Sequence, residues 1–198
     1  MTKIKLCGLS RPQDIEIVNE IKPEYIGFVF WKKSKRYVSE DTATGLKEML
    51  SEAIKAVGVF IDEPVENVAK LLNDGIIDIA QLHGSEDEEY ISSLRRLSDK
   101  EIIKAFLIEK AKDLEPVKKC SADYILLDAG IGSGKVFDWS ILQDINRPYF
   151  LAGGLNLENV QDAIRLVKPF AVDVSSGIET DGIKDEAKMR KFVDIVRR

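Results

Sequence analysis

Polar residues capable of acid–base chemistry follow short apolar runs of the sequence. Cys7 lies between Leu6 and Gly8, and its thiol, with an ordinary pKa of about 8.5, becomes a usable base when a positive charge lies close to it. Asp128 ends the apolar residues 124–127, where partial removal from water favours the protonated, proton-donating form. These two residues are candidates for a general base and a general acid. The alternatives are a small buried cysteine, which we favour for Cys120, and an aspartate that orders the loop after it.

Two segments of small residues could bind an anion. Gly153 and Gly154 follow one apolar run, and Ser175, Ser176 and Gly177 follow the next. Small residues let backbone N–H groups approach a phosphate closely, and a short helix beginning near Ser176 would add its positive end. The glycines could instead only make tight turns and a serine only cap a helix. Their occurrence after consecutive runs favours a phosphate site.

Four further residues are candidates for ligand binding: Arg36, Gln81, His83 and Asp173. Arg36 lies in the basic residues 32–37 and could hold a carboxylate through two parallel hydrogen bonds. Asp173 could hold sugar hydroxyls or brace the turn after it. His83 is the only histidine; a metal would lack histidine companions, so no metal site is expected.

Short apolar runs alternate with longer segments whose apolar residues recur at spacings of three and four. This alternation predicts parallel strands joined by crossover helices. The predicted strands are residues 4–6, 25–30, 54–61, 76–80, 102–107, 124–128, 149–152 and 171–174. The predicted helices are residues 12–20, 40–51, 65–73, 87–97, 111–118, 157–167 and 186–196, with a weaker helix around 139–145.

Eight strand–helix units in 198 residues predict a compact closed barrel, the (β/α)8 or TIM barrel of the α/β class. The sequence contains no linker-like or low-complexity segment, so residues 1–198 are expected to form a single barrel domain. In such barrels, catalytic groups lie on the loops after the carboxyl ends of the strands. The polar residues described above occupy those positions, which predicts one site at that end.

Charge and cysteine content limit the partners and the compartment. The 29 basic and 34 acidic residues leave a formal net charge of −5, which offers no overall attraction for nucleic acid or an anionic membrane. Cys7 and Cys120 belong to no CxxC or Cys/His cluster, so neither a disulfide framework nor a zinc site is expected. No segment has the apolar length of a signal peptide or a membrane span. We expect a cytoplasmic protein that is a monomer or a homodimer.

The order of these motifs resembles the phosphoribosylanthranilate isomerase family. The resemblance covers nearly the whole chain and is most specific in Lys5-Leu6-Cys7-Gly8 taken together with residues 173–179, Asp-Val-Ser-Ser-Gly-Ile-Glu. The other resembling segments are residues 27–30, 34–38, 57–60, 81–84, 126–128, 132–135, 137–139 and 152–155.

The resemblance implies an Amadori rearrangement in tryptophan biosynthesis, in which the phosphoribosyl adduct of anthranilate becomes the corresponding aminoketose without a cofactor. The family's acid matches Asp128, its base matches Cys7, and its carboxylate-binding arginine matches Arg36. Its phosphate loops match Gly153-Gly154 and residues 175–177. The implied ligand is a small phosphosugar–anthranilate molecule.

Other functions of a phosphate-binding barrel fit these residues less well. An indoleglycerol-phosphate synthase would need a catalytic lysine, and Lys3 and Lys5 precede the end of the first strand. A histidine-pathway isomerase would need aspartates after strands one and five, whereas strand one ends in Cys7. A barrel that only senses a phosphorylated ligand would need neither Cys7 nor Asp128. The loop after Asp128 is shorter than in many members of the family, across residues 129–134, and is expected to change substrate closure and turnover.

Overall fold

Eight parallel strands close into one ring in the computed structural model, which describes residues 1–128, 139–142 and 145–198. The strands are β1 (Lys3–Cys7), β2 (Tyr25–Val29), β3 (Lys55–Phe60), β4 (Ile79–Leu82), β5 (Glu101–Leu107), β6 (Tyr124–Asp128), β7 (Tyr149–Ala152) and β8 (Ala171–Val174). Each strand pairs with the next, and β1 pairs with β8 to complete the ring. The prediction of a TIM barrel is confirmed.

Helices follow most of the strands, and some begin at capping residues that the sequence supplies. Ser39, Asp87 and Asp185 accept hydrogen bonds from backbone N–H groups in the first turns of three of them. The helices are α1 (Pro12–Ile21), α2 (Glu40–Met49), α3 (Val65–Asn73), α4 (Glu88–Leu97), α5 (Glu115–Lys119), α6 (Val160–Val167) and α7 (Glu186–Arg197). Among the described residues, no helix is long and apolar enough to cross a membrane.

Four predicted elements differ clearly from the structure. Helix α6 begins at Val160, three residues later than predicted. Strand β4 starts three residues later than predicted, because the N–H groups of Ile76 and Ile77 donate to the Leu71 carbonyl oxygen and close the turn after α3. Apolar pattern alone cannot distinguish such a buried turn from a strand. The helix predicted over 111–118 is a 3-10 turn, Ala111–Leu114, followed by α5. The weaker helix predicted around 139–145 is a 3-10 turn, Trp139–Leu142, and residues 143–144 lie outside the described residues.

Apolar side chains fill both sides of the sheet. Tyr25, Ile103 and Phe150 belong to a cluster inside the ring, and a larger cluster packs between the ring and the helices. Lys5 and Cys7 of β1 pair in register with Tyr25 and Gly27 of β2. Because alternate residues of a strand point to the same side, Lys5 and Cys7 share the interior side with Tyr25. Polar groups therefore enter an otherwise apolar interior.

A small hairpin follows β8 and lies beside its carboxyl end. It consists of β9 (Glu179–Thr180) and β10 (Ile183–Lys184). Asp181 and Gly182 connect the two strands with positive φ values of 54° and 79°, as a two-residue Asp-Gly turn requires. Lys184 Nζ donates to the Ser175 carbonyl oxygen at 3.0 Å, which ties the hairpin to the loop after β8.

Candidate active site

A cavity of about 230 Å³ opens at the carboxyl ends of the strands, where barrel closure brings together residues distant in sequence. Two residues of the predicted site, Arg36 and Gly177, lie beside the cavity and do not line it. The Arg36 side chain packs against Gly8, where an added Cβ would clash with it. Gly177 packs against the Leu155 carbonyl oxygen, which an added Cβ would also meet. In the described part of the chain, no group of three or more His, Cys, Asp or Glu residues is placed to hold a metal ion. The predicted site residues that line the cavity are Cys7, Gln81, His83, Asp128, Gly153, Gly154, Asp173, Ser175 and Ser176.

Cys7 ends β1 and is 8% exposed. Burial raises the pKa of its thiol; the positive charge of Lys5 acts in the opposite direction, and the negative charge of Asp173 raises the pKa further. Gly27 on β2 leaves room for the sulfur, because a Cβ at that position would lie 2.6 Å from Sγ. The net shift of the pKa is upward, which favours the protonated thiol.

A buried ion pair lies next to Cys7. The Lys5 ammonium group, which is fully buried, donates to both carboxylate oxygens of Asp173 at 3.0 Å. This pairing was not predicted from the sequence, where Lys5 was weighed only as a catalytic lysine of another enzyme. The available signal was spacing, since Lys5 precedes Cys7 by two residues and therefore shares its side of the strand.

Asp128, at the end of β6, faces His83, which follows β4. His83 Nε2 lies 3.4 Å from an Asp128 carboxylate oxygen, and both side chains are partly exposed. The Gln81 amide Nε2 lies 2.8 Å from His83 Nδ1 on the other side of the ring. Gln81 is buried, and its Oε1 has no hydrogen-bond partner among the described residues. The loop that the sequence analysis expected to be short, residues 129–134, lies outside the described residues.

Arg36 is held by a carboxylate that the sequence analysis assigned no role. Its Nε and Nη2 donate to the two oxygens of Glu179 at 2.6 and 2.7 Å, a bidentate arrangement. Lys184 is buried and donates to the same carboxylate at 2.5 Å. Burial lowers the pKa of Lys184 despite the opposing effect of Glu179. Glu179 and Lys184 both belong to the hairpin. In the sequence, only the Asp181-Gly182 pair could have indicated that hairpin.

The loops after β7 and β8 meet beside Cys7. Gly153 and Gly154 have φ values of 88° and 66°, a backbone region that favours glycine. The Ser175 hydroxyl donates to the Cys7 carbonyl oxygen at 3.0 Å. The short helix predicted near Ser176 is a 3-10 turn, Ser176–Ile178. These loops place small residues side by side at the edge of the cavity, an arrangement that leaves space for an anion.

The whole chain is similar in sequence to isomerases of one family. Residues 4–195 match the sequence model of the family described as N-(5′-phosphoribosyl)anthranilate (PRA) isomerase. The N-(5′-phosphoribosyl)anthranilate isomerase of Thermoanaerobacter sp. is 45% identical over 204 residues, which cover 100% of this chain and 98% of that protein.

Solved structures from the same family share the architecture. The crystal structure of phosphoribosyl anthranilate isomerase from Thermotoga maritima matches with a TM-score of 0.91 at 36% identity, covering 100% of this chain and 99% of that chain. Another crystal structure shows a phosphoribosyl anthranilate isomerase in complex with reduced 1-(o-carboxyphenylamino)-1-deoxyribulose 5-phosphate. It matches with a TM-score of 0.89 at 35% identity and the same coverage. The similarity therefore extends along the full chain in both sequence and fold.

Proposed function

The chain belongs to the N-(5′-phosphoribosyl)anthranilate isomerase family, and we propose on this basis that Cys7 is the general base of its reaction and Asp128 the general acid. The chain is an isomerase of tryptophan biosynthesis that interconverts an aldose and a ketose. The observation that carries the residue assignment is that the thiol and the carboxylate line the same cavity.

The Amadori rearrangement needs one proton delivered and another removed at different atoms of one substrate. In the proposed reaction, Asp128 protonates the ring oxygen of the ribosyl group, and the bond from C1′ to that oxygen breaks to give an iminium ion. Cys7 then removes the proton from C2′, and the resulting enolamine tautomerises to the ketone. The iminium nitrogen accepts the electron pair, so two groups of opposite protonation suffice for the proposed steps, without a cofactor or a metal.

The surroundings of Cys7 couple formation of the base to ring opening. Burial keeps the thiol protonated in the absence of substrate by raising its pKa, while the positive charges of Lys5 and Lys184 favour the thiolate. The iminium ion adds a further positive charge beside the sulfur, which lowers the cost of deprotonation at the step that needs it. A thiolate whose pKa is raised by burial is also a stronger base towards C2′.

The two anionic ends of the substrate are proposed to bind to different groups at the carboxyl end of the barrel. Arg36 would hold the anthranilate carboxylate, and the bidentate contact with Glu179 fixes the plane of its guanidinium group. Gly153-Gly154 and residues 175–177 would hold the phosphate. The compound bound in the related crystal structure carries both a carboxyphenyl group and a 5-phosphate, which supports a site with two anionic ends.

Gln81, His83 and Asp173 are proposed to contact the sugar between these ends. The buried Oε1 of Gln81 has no partner among the described residues, and a substrate hydroxyl would satisfy it. His83 is partly exposed in the cavity. Asp173 also lines the cavity, although its carboxylate oxygens already accept hydrogen bonds from Lys5.

We also propose that residues 1–198 act as one catalytic barrel domain in the cytoplasm, as a monomer or a homodimer. The strands of the ring span residues 3 to 174, which supports one domain. Both cysteines are free, which supports a reducing compartment. The proposed partner is the small phosphosugar–anthranilate substrate, not nucleic acid or a membrane.

Loss of the fluorescent anthranilate adduct tests the assignment directly. Cys7→Ser and Asp128→Asn should each lower kcat by about 10²- to 10⁴-fold, the usual contribution of a general base or acid. Both variants should still bind a product analogue. Cys120→Ser, which changes the other buried cysteine, should keep the wild-type rate. Wild-type rates for both site variants would refute the proposed roles.

A further inference from the structure

Gln81 and His83 form a contact behind Asp128 that the proposed mechanism leaves unused. Gln81 is 1% exposed, and its amide Nε2 lies 2.8 Å from His83 Nδ1. An amide nitrogen only donates hydrogen bonds, so Nδ1 accepts and carries no proton. In the neutral imidazole, the single ring proton is then on Nε2.

His83 Nε2 is the ring atom that faces Asp128, 3.4 Å from its carboxylate oxygen. With its proton on Nε2, the ring points a donor at the Asp128 carboxyl group. With the proton on Nδ1, Nε2 could only accept, and it could not stabilise the negative charge that remains when Asp128 loses its proton. The distance is slightly longer than an ordinary N–H···O hydrogen bond. Such contacts shorten when substrate binds and charge develops.

We propose that Gln81 is a positioning residue that fixes the tautomer of His83 and so aims a hydrogen-bond donor at Asp128. The inference rests on the proposed role of Asp128 as general acid. When Asp128 transfers its proton to the ring oxygen of the substrate, negative charge develops on its carboxyl group. The Nε2–H group stabilises that charge more strongly in the transition state than in the ground state, and His83 keeps its own proton throughout.

The two ends of the Gln81 amide have separate roles in this arrangement. The nitrogen end is occupied by His83, whereas the buried oxygen end has no partner among the described residues. A substrate hydroxyl that donates to the oxygen would hold the amide in the orientation that keeps its nitrogen on Nδ1. Substrate binding therefore reinforces the tautomer that the proton transfer needs.

Nitrogen NMR can read the tautomer directly, because His83 is the only histidine and its ring signals need no assignment. At about pH 8, where imidazole is ordinarily neutral, two-bond ¹H–¹⁵N spectra of the wild type should show the proton on Nε2. Gln81→Glu replaces the donor with an acceptor of nearly the same shape and should move the proton to Nδ1. Gln81→Met removes the donor without adding charge and should leave a mixture of tautomers.

Turnover should follow the tautomer. Loss of one hydrogen bond to a developing carboxylate should lower kcat by about 10- to 100-fold in Gln81→Glu, with KM changed by less than about threefold because glutamate keeps an oxygen for the substrate hydroxyl. Gln81→Met should lower kcat in proportion to the loss of the Nε2-protonated tautomer, and it should raise KM because it removes that oxygen. Gln161→Glu makes the same change of charge on α6 and should keep the wild-type tautomer and rate. Gln81→Met still tests the inference if Gln81→Glu does not fold.

Two results would overturn the inference: a wild-type ring with its proton on Nδ1, or Gln81 variants that move the proton while kcat stays unchanged. The spectra need no turnover, so they remain separate from the assay of Asp128→Asn. A wild-type rate for Asp128→Asn would refute the general acid itself, whereas the tautomer would be unaffected.

Discussion

Replacing Lys5 with methionine would leave the Asp173 carboxylate inside the barrel without its positive partner. The ammonium group is fully buried and contacts both carboxylate oxygens at 3.0 Å, and Asp173 is 8% exposed. Removing one partner of such a pair costs about 3–5 kcal/mol, whereas replacing both with neutral residues is often close to neutral. In a chain of this length, a loss of about 4 kcal/mol lowers Tm by about 8–16 °C. Lys5→Met/Asp173→Asn should recover most of that loss.

The loss should be the same at about pH 7 and about pH 9. Burial alone would lower the pKa of Lys5, but the charges and hydrogen bonds of Asp173 and Cys7 raise it above 10.5. A group whose pKa is raised on folding contributes its full stability below its unfolded pKa, and the contribution disappears as the pH rises through the higher folded value. Both measurements lie below that window.

Urea and thermal unfolding, followed by circular dichroism at both pH values, would measure the loss. Lys55→Met is the matched control, since Lys55 contacts Glu101 at 2.8 Å but both side chains are well exposed. Exposed pairs contribute at most about 1 kcal/mol. A Lys5→Met chain that is as stable as Lys55→Met would refute the reasoning.

Two further substitutions test the packing and charge of the site. Gly27→Ala would place a Cβ 2.6 Å from the Cys7 sulfur and should lower kcat by about 10- to 100-fold by displacing the thiol; an unchanged kcat in a folded variant would contradict this. Burial alone would raise the pKa of Glu179, but hydrogen bonds from Arg36 and Lys184 lower that pKa below 4.5. The ionised Glu179 side chain therefore contributes its full stability above pH 4.5, and this contribution is lost as the pH falls through the lowered pKa. Glu179→Gln should therefore lower the free energy of unfolding by about 1–3 kcal/mol near neutral pH and should make that free energy depend less on pH in the acid range. Urea unfolding at several acid pH values would measure this. Equal pH dependence in the variant and the wild type would contradict the prediction.

Local pattern predicted the elements with strong periodicity. The strand over 124–128 and the helix over 65–73 have the predicted bounds, because an apolar run between polar residues and a repeated apolar face are properties of the segment itself. Strand β4 was misplaced because Ile76 and Ile77 are as apolar as the strand that follows them. The two-residue strands of the hairpin are too short to carry a periodic signal.

Much of the candidate site could also be located from the sequence. Cys7, Asp128 and the loops after β7 and β8 line or border one cavity because the carboxyl ends of parallel barrel strands meet on one face. Their catalytic and binding roles stay predictions. Sequence reasoning missed Glu179 and Lys184, whose positions depend on how the hairpin folds against the loop after β8.

The pattern of residues along the chain is enough to predict the eight strands of the ring and their order, and hence which side chains come to the carboxyl end of the barrel. Which charges neutralise one another there depends on how distant segments pack together. Lys5 meets Asp173 across 168 positions and Arg36 meets Glu179 across 143, because β1 closes on β8 and the hairpin lies beside that closure. Electrostatic energy depends on distance in space and on burial, and neither quantity can be read from separation along the chain.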